Sequence, residues 1–236
     1  MSAAALPRRW YLQPTLAVAR GLLGKTLVHD HADGRTAGRI VEVEAYRGPA
    51  DRAAHSSGGR RTPRNEVMYG PAGHAYVYFI YGMYFCMNAV CQSAGVPEAV
   101  LLRAVEPLDG IELMRRRRGV PDGPEWRLCR GPGVLCRAFG ITRAENGADL
   151  VRGPLRILDA PPVPAAQVAR TARIGVAYAG ADAARPWRLV VRGSPAVSGR
   201  RVVSTSPAVM ARHTSPSDRR RCRRAPAQPP NHDMWK

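Results

Sequence analysis

Tyr76-Val77-Tyr78-Phe79-Ile80-Tyr81-Gly82-Met83-Tyr84-Phe85-Cys86-Met87-Asn88 decides how this chain folds. Tyr, Val, Phe and Ile dominate Ala75 to Cys91, the most strand-prone segment of the sequence, and Gly82 marks the reversal. The segment reads as a β-hairpin. Five of the eight tyrosines lie between Tyr69 and Tyr84. Strand aromatics usually fill a core. A hairpin that carries them to its tip can also wedge between nucleic-acid bases, because aromatic rings stack on any base face and inserted side chains open base steps.

Outward from the hairpin, Thr26 to Val28 and Gly38 to Tyr46 read as strands around the turn-rich His31-Ala32-Asp33-Gly34, and Ala99 to Val105 as another. Leu16 to Leu23, Leu108 to Arg118 and Gly131 to Phe139 read as helices. Leu155 to Leu158, Arg173 to Ala177 and Trp187 to Val191 read as later strands. Gly48 to Pro71, rich in Gly, Pro, Ser and Arg, reads as a long loop, and such loops in compact domains are often functional.

Strand alternation in Ile40-Val41-Glu42-Val43-Glu44-Ala45-Tyr46 puts Val41, Val43 and Ala45 toward a core. Glu42, Glu44 and Tyr46 then share the other face. The two carboxylates are either a solvated face paired with surplus arginines or a site for general-base chemistry beside an aromatic wall. Gly58-Gly59-Arg60-Arg61-Thr62-Pro63-Arg64-Asn65 is either an ordinary solvated loop or a set of phosphate contacts. Arg115 to Arg118 reads as a solvated helix end, where cations suit the helix dipole.

The chain has 236 residues and 45% apolar content, enough for one large domain and against wholesale disorder. It holds 36 Lys plus Arg against 18 Asp plus Glu, a formal +18, which points to a polyanion partner. Arg200 to Lys236 carries nine basic and two acidic residues, and the first 199 residues keep +11. That final stretch is rich in Pro, Ser and Arg and predicts a disordered tail. Neither a secretory core near Met1 to Trp10 nor an apolar run long enough for a transmembrane helix is present, so a cytoplasmic location is expected. Five cysteines without repeated short spacing read as reduced thiols, and the scattered histidines show no metal-ligand spacing.

Taken together, these stretches resemble the alkyladenine (3-methyladenine, or methylpurine) DNA glycosylases. The carrying residues are Ile40 to Tyr46, Gly48-Pro49, Ala53-Ala54-His55-Ser56, Arg61-Thr62-Pro63-Arg64-Asn65, Tyr76 to Asn88, and Val100 to Pro107. Gly131-Pro132-Gly133, Arg173-Ile174-Gly175 and Pro186 through Pro195 also fit, so the likeness runs from about Pro14 to Ser198. It implies an α+β fold: a single mixed domain over 1–199, with a central, mostly antiparallel curved sheet, flanking helices and a protruding β-hairpin. It implies a monofunctional enzyme that flips alkylated or deaminated purines out of double-stranded DNA and hydrolyses the N-glycosidic bond, acting as a monomer without metal or cofactor.

The resemblance also implies residue roles. Tyr81 fills the gap left in the base stack. Tyr46, His55 and Tyr78 hold the flipped base, and Asn88 crowds the amino group of guanine. Glu44 is the general base, with Glu42 as support. Its water lies between Glu44, Arg103 and the Ile174 carbonyl. Arg61, Thr62, Arg64 and Asn65 meet the DNA backbone. Departures from the family pattern stand at His74, Val134 and Ala196, where a threonine, a lysine and an aromatic are usual.

Overall fold

The structure, a computed structural model, describes residues 4–199; the tail, with its expected disorder, lies outside the described residues. Eight strands form one sheet: β1 (Thr26–His31), β2 (Gly34–Arg47), β3 (Ala75–Ile80), β4 (Tyr84–Cys91), β5 (Glu98–Asp109), β6 (Leu155–Leu158), β7 (Val168–Thr171) and β8 (Arg188–Val191). The main path runs β3-β4-β5-β2-β1-β6, and β7 and β8 extend it from β2. All of the pairings are antiparallel.

The fourteen-residue β2 organises the domain. One edge pairs with β5 along nearly its whole length. The other pairs with β1 through its first half and with β8 at Glu42, Val43 and Glu44. The register against β5 slips between Ile40 and Glu42 and again between Glu42 and Val43. Such bulges bend a strand and re-aim its side chains, and here they fall where β2 changes partner.

Helices cover one side of the sheet. α1 (Thr15–Leu22) turns Val18, Ala19 and Leu22 onto β2 and β5, where Val41, Val43 and Ala45 are also fully buried, as alternation predicts. α3 (Pro132–Phe139) starts with proline in its first turn and ends at Gly140, whose left-handed φ of 66° lets its N–H close on the Arg137 and Cys136 carbonyls. It packs so closely on the hairpin that a Cβ on Gly133 would lie 2.8 Å from the Tyr84 ring. The described cysteines, Cys86, Cys91, Cys129 and Cys136, are free and buried.

Three readings of the sequence are corrected. Leu108 and Asp109 belong to β5, and α2 (Ile111–Arg118) begins later, because Gly110 at φ 73° makes the corner between them. Arg173 to Ala177 is not a strand. The strand of that region is β7, and Gly175, at φ 77°, breaks the extension after it. Finally, the arginines ending α2 are not merely solvated. Arg115 donates to the Gly123 carbonyl at 3.0 Å and Arg118 to that of Leu128 at 2.5 Å. Arg117 pairs with Asp33.

Candidate active site

The face of β2 opposite α1 is not solvated. Glu42 and Glu44 are both 0% exposed, a state that a carboxylate reaches only when hydrogen-bonded or paired. Glu42 is saturated. Its Oε1 accepts from Arg103 Nε at 3.0 Å, Arg188 Nε at 2.7 Å and Ser198 Oγ at 2.9 Å, and its Oε2 from the Ser198 amide at 2.6 Å. Glu44 accepts the Ile174 amide at 2.8 Å on Oε1, and the Tyr46 hydroxyl at 2.9 Å and Arg103 Nη1 at 3.3 Å on Oε2. Ile174 thus meets Glu44 through its N–H, a contact the sequence did not signal. Arg103 is the bridge between the two carboxylates.

Burial pushes the Glu44 carboxyl above its ordinary range; Arg103, the Ile174 amide and the Tyr46 hydroxyl oppose the rise, and Glu42 adds to it. A buried carboxylate with a raised pKa and donors arranged around its anion is suited to accept a proton.

An aromatic wall stands on the same face. Register pairs Tyr76 with Asn88 and Tyr78 with Cys86, then Asn88 with Leu101 and Leu101 with Glu44. Directly opposed residues share a face, so Tyr76, Asn88 and Glu44 line one surface across four strands. Asn88 is buried and donates through Nδ2 to the Tyr76 carbonyl at 3.0 Å. His55 lies edge-on to Tyr78 with ring centroids 4.5 Å apart, and its Nδ1 is 2.8 Å from the Tyr76 hydroxyl. Burial, with Arg64 and Arg60 nearby, pulls His55 down to about 4, so the ring is neutral near pH 7. Tyr76 is the residue that sequence reasoning missed. Its signal was its place two residues before Tyr78, on the same side of one strand.

The loop 48–71 holds His55 against that wall. Asn65 is its hub: its amide nitrogen donates to the His55 and Arg60 carbonyls at 3.0 and 2.8 Å, and its oxygen accepts from the Thr62 amide and hydroxyl at 2.7 and 3.0 Å. Arg61 pairs with Glu66 and lies 4.7 Å over the Tyr69 ring. Arg64 donates to the Phe79 carbonyl at 3.1 Å and lies 5.6 Å over the Tyr78 ring, tying loop to hairpin. Arg60, Arg61 and Arg64 remain exposed.

At the hairpin tip, Tyr81 and Gly82 both have positive φ, 54° and 65°, and the Met83 amide closes the turn on the Ile80 carbonyl. Glycine accepts that region freely, whereas for tyrosine it costs roughly 1–2 kcal/mol. The strained residue is also 72% exposed. An aromatic kept at such a tip has no packing role there, and strain of this kind concentrates at functional sites.

A reaction that uses Glu44 as a base takes its pH dependence from that carboxyl. A base must be ionised, and a raised pKa means protonation begins at a higher pH than for a free glutamate. The acid limb of a single-turnover pH profile is therefore expected to lie above the ordinary value of about 4.3. His55→Gln is expected to leave that limb in place, and a limb that moves with His55 would reassign the titrating group.

Residues 9–195 match the family described as methylpurine-DNA glycosylase. The chain is 52% identical over 200 residues to a Methanocella arvoryzae protein carrying the name 3-methyladenine DNA glycosylase, covering 83% of this chain and 96% of that one. A protein of the same name from Clostridium acetobutylicum is 46% identical over 199 residues, 82% of this chain and 97% of its own. One from Myxococcus xanthus is 49% identical over 193 residues, 82% and 93% respectively.

Proposed function

Because the chain belongs to the methylpurine-DNA glycosylase family, and so is a DNA glycosylase and a hydrolase, we propose that it excises damaged purines with a water activated by Glu44. The observation that carries this reading is Glu44 itself: fully buried, held by three donors and set beside an aromatic pocket. A protein that only bound damaged DNA would have no use for a water-activating carboxylate in that place.

The steps follow from the residues. A base inside a duplex must be rotated out before its glycosidic bond can be reached. Tyr81 enters the stack in its place. The flipped base lies among Tyr46, Tyr78 and His55, whose neutral ring offers hydrogen bonding without charge. Asn88 crowds a guanine amino group. Departure of the base leaves an oxocarbenium-like sugar; Glu44 stabilises that charge and takes a proton from the attacking water, while Arg103 keeps Glu44 ionised. Glu44, Arg103 and Ile174 carry the step in this reading, which includes no cofactor. Arg61, Thr62 and Arg64 face the phosphates, and Asn65 shapes the loop that presents them. A monomer on double-stranded DNA suffices for the reaction. Among the described residues no helix is long and apolar enough to cross a membrane, and we place the enzyme with the DNA in the cytoplasm.

The direct test uses duplexes holding 3-methyladenine, hypoxanthine or 1,N6-ethenoadenine, with alkaline cleavage after incubation. A strand break at the lesion is expected. Binding without a break would make the protein a damage-binding module on this scaffold.

Tyr81→Ala tests the wedge. Loss of one stacking aromatic costs about 1–3 kcal/mol. Unstacking costs least for a mismatched or unpaired base. The excision defect is therefore expected to be large for a lesion in a well-paired duplex and small for the same lesion mispaired or in a single strand. Equal defects in both contexts would make Tyr81 a structural residue and move the search to Met83 and Tyr84.

A further inference from the structure

Residues 173 and 174 grip three consecutive residues of β2 without being a strand. Arg173 Nη1 donates to the Ala45 carbonyl at 3.0 Å, and its guanidinium covers the Tyr46 ring at 4.8 Å. The next residue, Ile174, gives its amide to Glu44 at 2.8 Å. Arg173 in turn is locked by Asp51, Nη1 to Oδ2 at 2.6 Å and Nη2 to Oδ1 at 2.8 Å, with both side chains 0% exposed. Nη2 also donates to the Asp182 carbonyl, and the Trp187 ring lies 5.0 Å away. Asp51 fastens the start of the functional loop by accepting the Arg47 and Ala53 amides, both at 3.0 Å.

The backbone leaving this grip is anchored again at Val176, which is buried with Ala53 and Ala179 beside Tyr46. β7 ends at Thr171, and β8 pairs with β2 only from Arg188 onward. Ile174 is 39% exposed, and a Cβ on the following Gly175 would meet nothing within 4 Å. The buried group nearest the Ile174 amide along the chain is the neighbouring arginine, locked on Ala45 and Asp51. A planar guanidinium can pair bidentately and stack at once, which a lysine cannot.

We propose that Arg173, clamped by Asp51, is the positioning residue that holds the Ile174 amide on Glu44 and the Tyr46 ring in its pocket, so that one buried pair aligns general base and stacking wall together. This rests on the reading of Glu44 as the base.

The groups that face Glu44 define the test. On β2 these are Glu42 and the Tyr46 hydroxyl, and β5 contributes Arg103. Tyr78 from β3 and Cys86 from β4 lie within its field. From the far side come Arg173 and Tyr178, and Arg188 stands opposite on β8. Of the donors to the carboxylate, the Ile174 amide and the Tyr46 hydroxyl depend on Arg173 for their place, and Arg103 does not. Losing a donor to the charged form raises a carboxylate pKa.

Single-turnover excision should be followed against pH for wild type, Arg173→Lys and Asp51→Asn. The acid limb is expected to move up by about one pH unit in both variants, a tenfold loss of ionised base at a fixed pH below the limb. Binding of duplexes with a lesion should weaken as well, because the Tyr46 wall is released. Ile174→Pro removes the same amide at a half-exposed residue without touching the buried pair. It should reproduce the shifted limb with lesion binding unchanged, and it stands as the test if the pair variants do not fold. A lowered rate with an unmoved limb, in the pair variants or in Ile174→Pro, would overturn the proposal and leave Arg173 a packing residue. Glu44→Gln, run beside them, reports separately on the base: excision retained there sinks the reading of Glu44 whatever the limb does.

Discussion

Glu44→Gln is expected to cut single-turnover excision by about 10²- to 10⁴-fold, the usual contribution of a general base, while a duplex with a neutral lesion is still bound. The amide keeps the shape of the side chain and loses the ability to take a proton. It also alters a balanced set of charges. Three buried carboxylates, Glu42, Glu44 and Asp51, stand against three buried guanidinia, Arg103, Arg173 and Arg188, while the buried Asp182 is paired with the more exposed Arg185. Removing one negative charge leaves a net positive site, so binding of a cationic alkylated base should fall more than binding of hypoxanthine. The rate is read from excess-enzyme time courses and the affinity from equilibrium titration. Near wild-type excision would pass the role of base to Glu42, although its four accepted hydrogen bonds leave it little capacity for a water.

Arg103→Met is expected to be the most destabilising single change at the site. The residue is 7% exposed, and Nε and Nη1 reach Glu42 and Glu44 at 3.0 and 3.3 Å. Breaking a buried pair by deleting one partner typically costs 3–5 kcal/mol, because the remaining charge is buried uncompensated. In a domain of this size each kcal/mol moves Tm by about 2–4 °C, so a drop of roughly ten degrees is expected near neutral pH. The sign with pH follows from linkage. Without Arg103 the Glu44 carboxyl, already raised by burial, stands further above its unfolded value, so the native state binds the extra proton and gains relative stability as pH falls. The deficit should therefore shrink toward acid. Thermal unfolding of wild type and variant at several pH values measures this, and a deficit below about 1 kcal/mol that does not vary with pH would show that Arg103 is not the bridge. Excision should fall too, since Glu44 loses the cation that favours its ionised form.

The parts of this molecule that were legible in its sequence are those governed by neighbours along the chain. Aromatic and β-branched residues around Gly82 specify a hairpin by themselves, and Val41, Val43 and Ala45 bury as their alternation requires. Errors arose where one backbone angle decided the outcome: Gly110 ended a strand later than composition suggested, and Gly175 stopped one that composition allowed. The site divides in the same way. Glu44 and Tyr46 were readable as neighbours on one strand. Burial of both glutamates was not, because it depends on Arg103, Arg188 and Ser198, which the chain brings from 59 to 156 residues away. Arg173 stands in the sequence as one arginine of Arg173-Ile174-Gly175, and nothing local distinguishes it from the other arginines. The packing of its guanidinium on Asp51 and Tyr46 does so only after folding.

The fork in β2, with β1 on one stretch of its edge and β8 on the next, also sets an order in time. Glu42 and Glu44 leave the ribosome early, and β1 can pair with β2 at once across a two-residue turn. The other partners of the carboxylates follow much later: Arg103 after some 60 residues, Ile174 after 130, Ser198 after 156. Contacts that distant close slowly, because the intervening chain must be ordered first. During synthesis the growing sheet therefore carries its two carboxylates without their full set of partners. The last described stretch, bringing Arg188 and Ser198, completes the partners of Glu42. Completion of the site is thus coupled to completion of the domain: a nascent chain that stops short of β8 holds every donor of Glu44 but neither Arg188 nor Ser198 for Glu42.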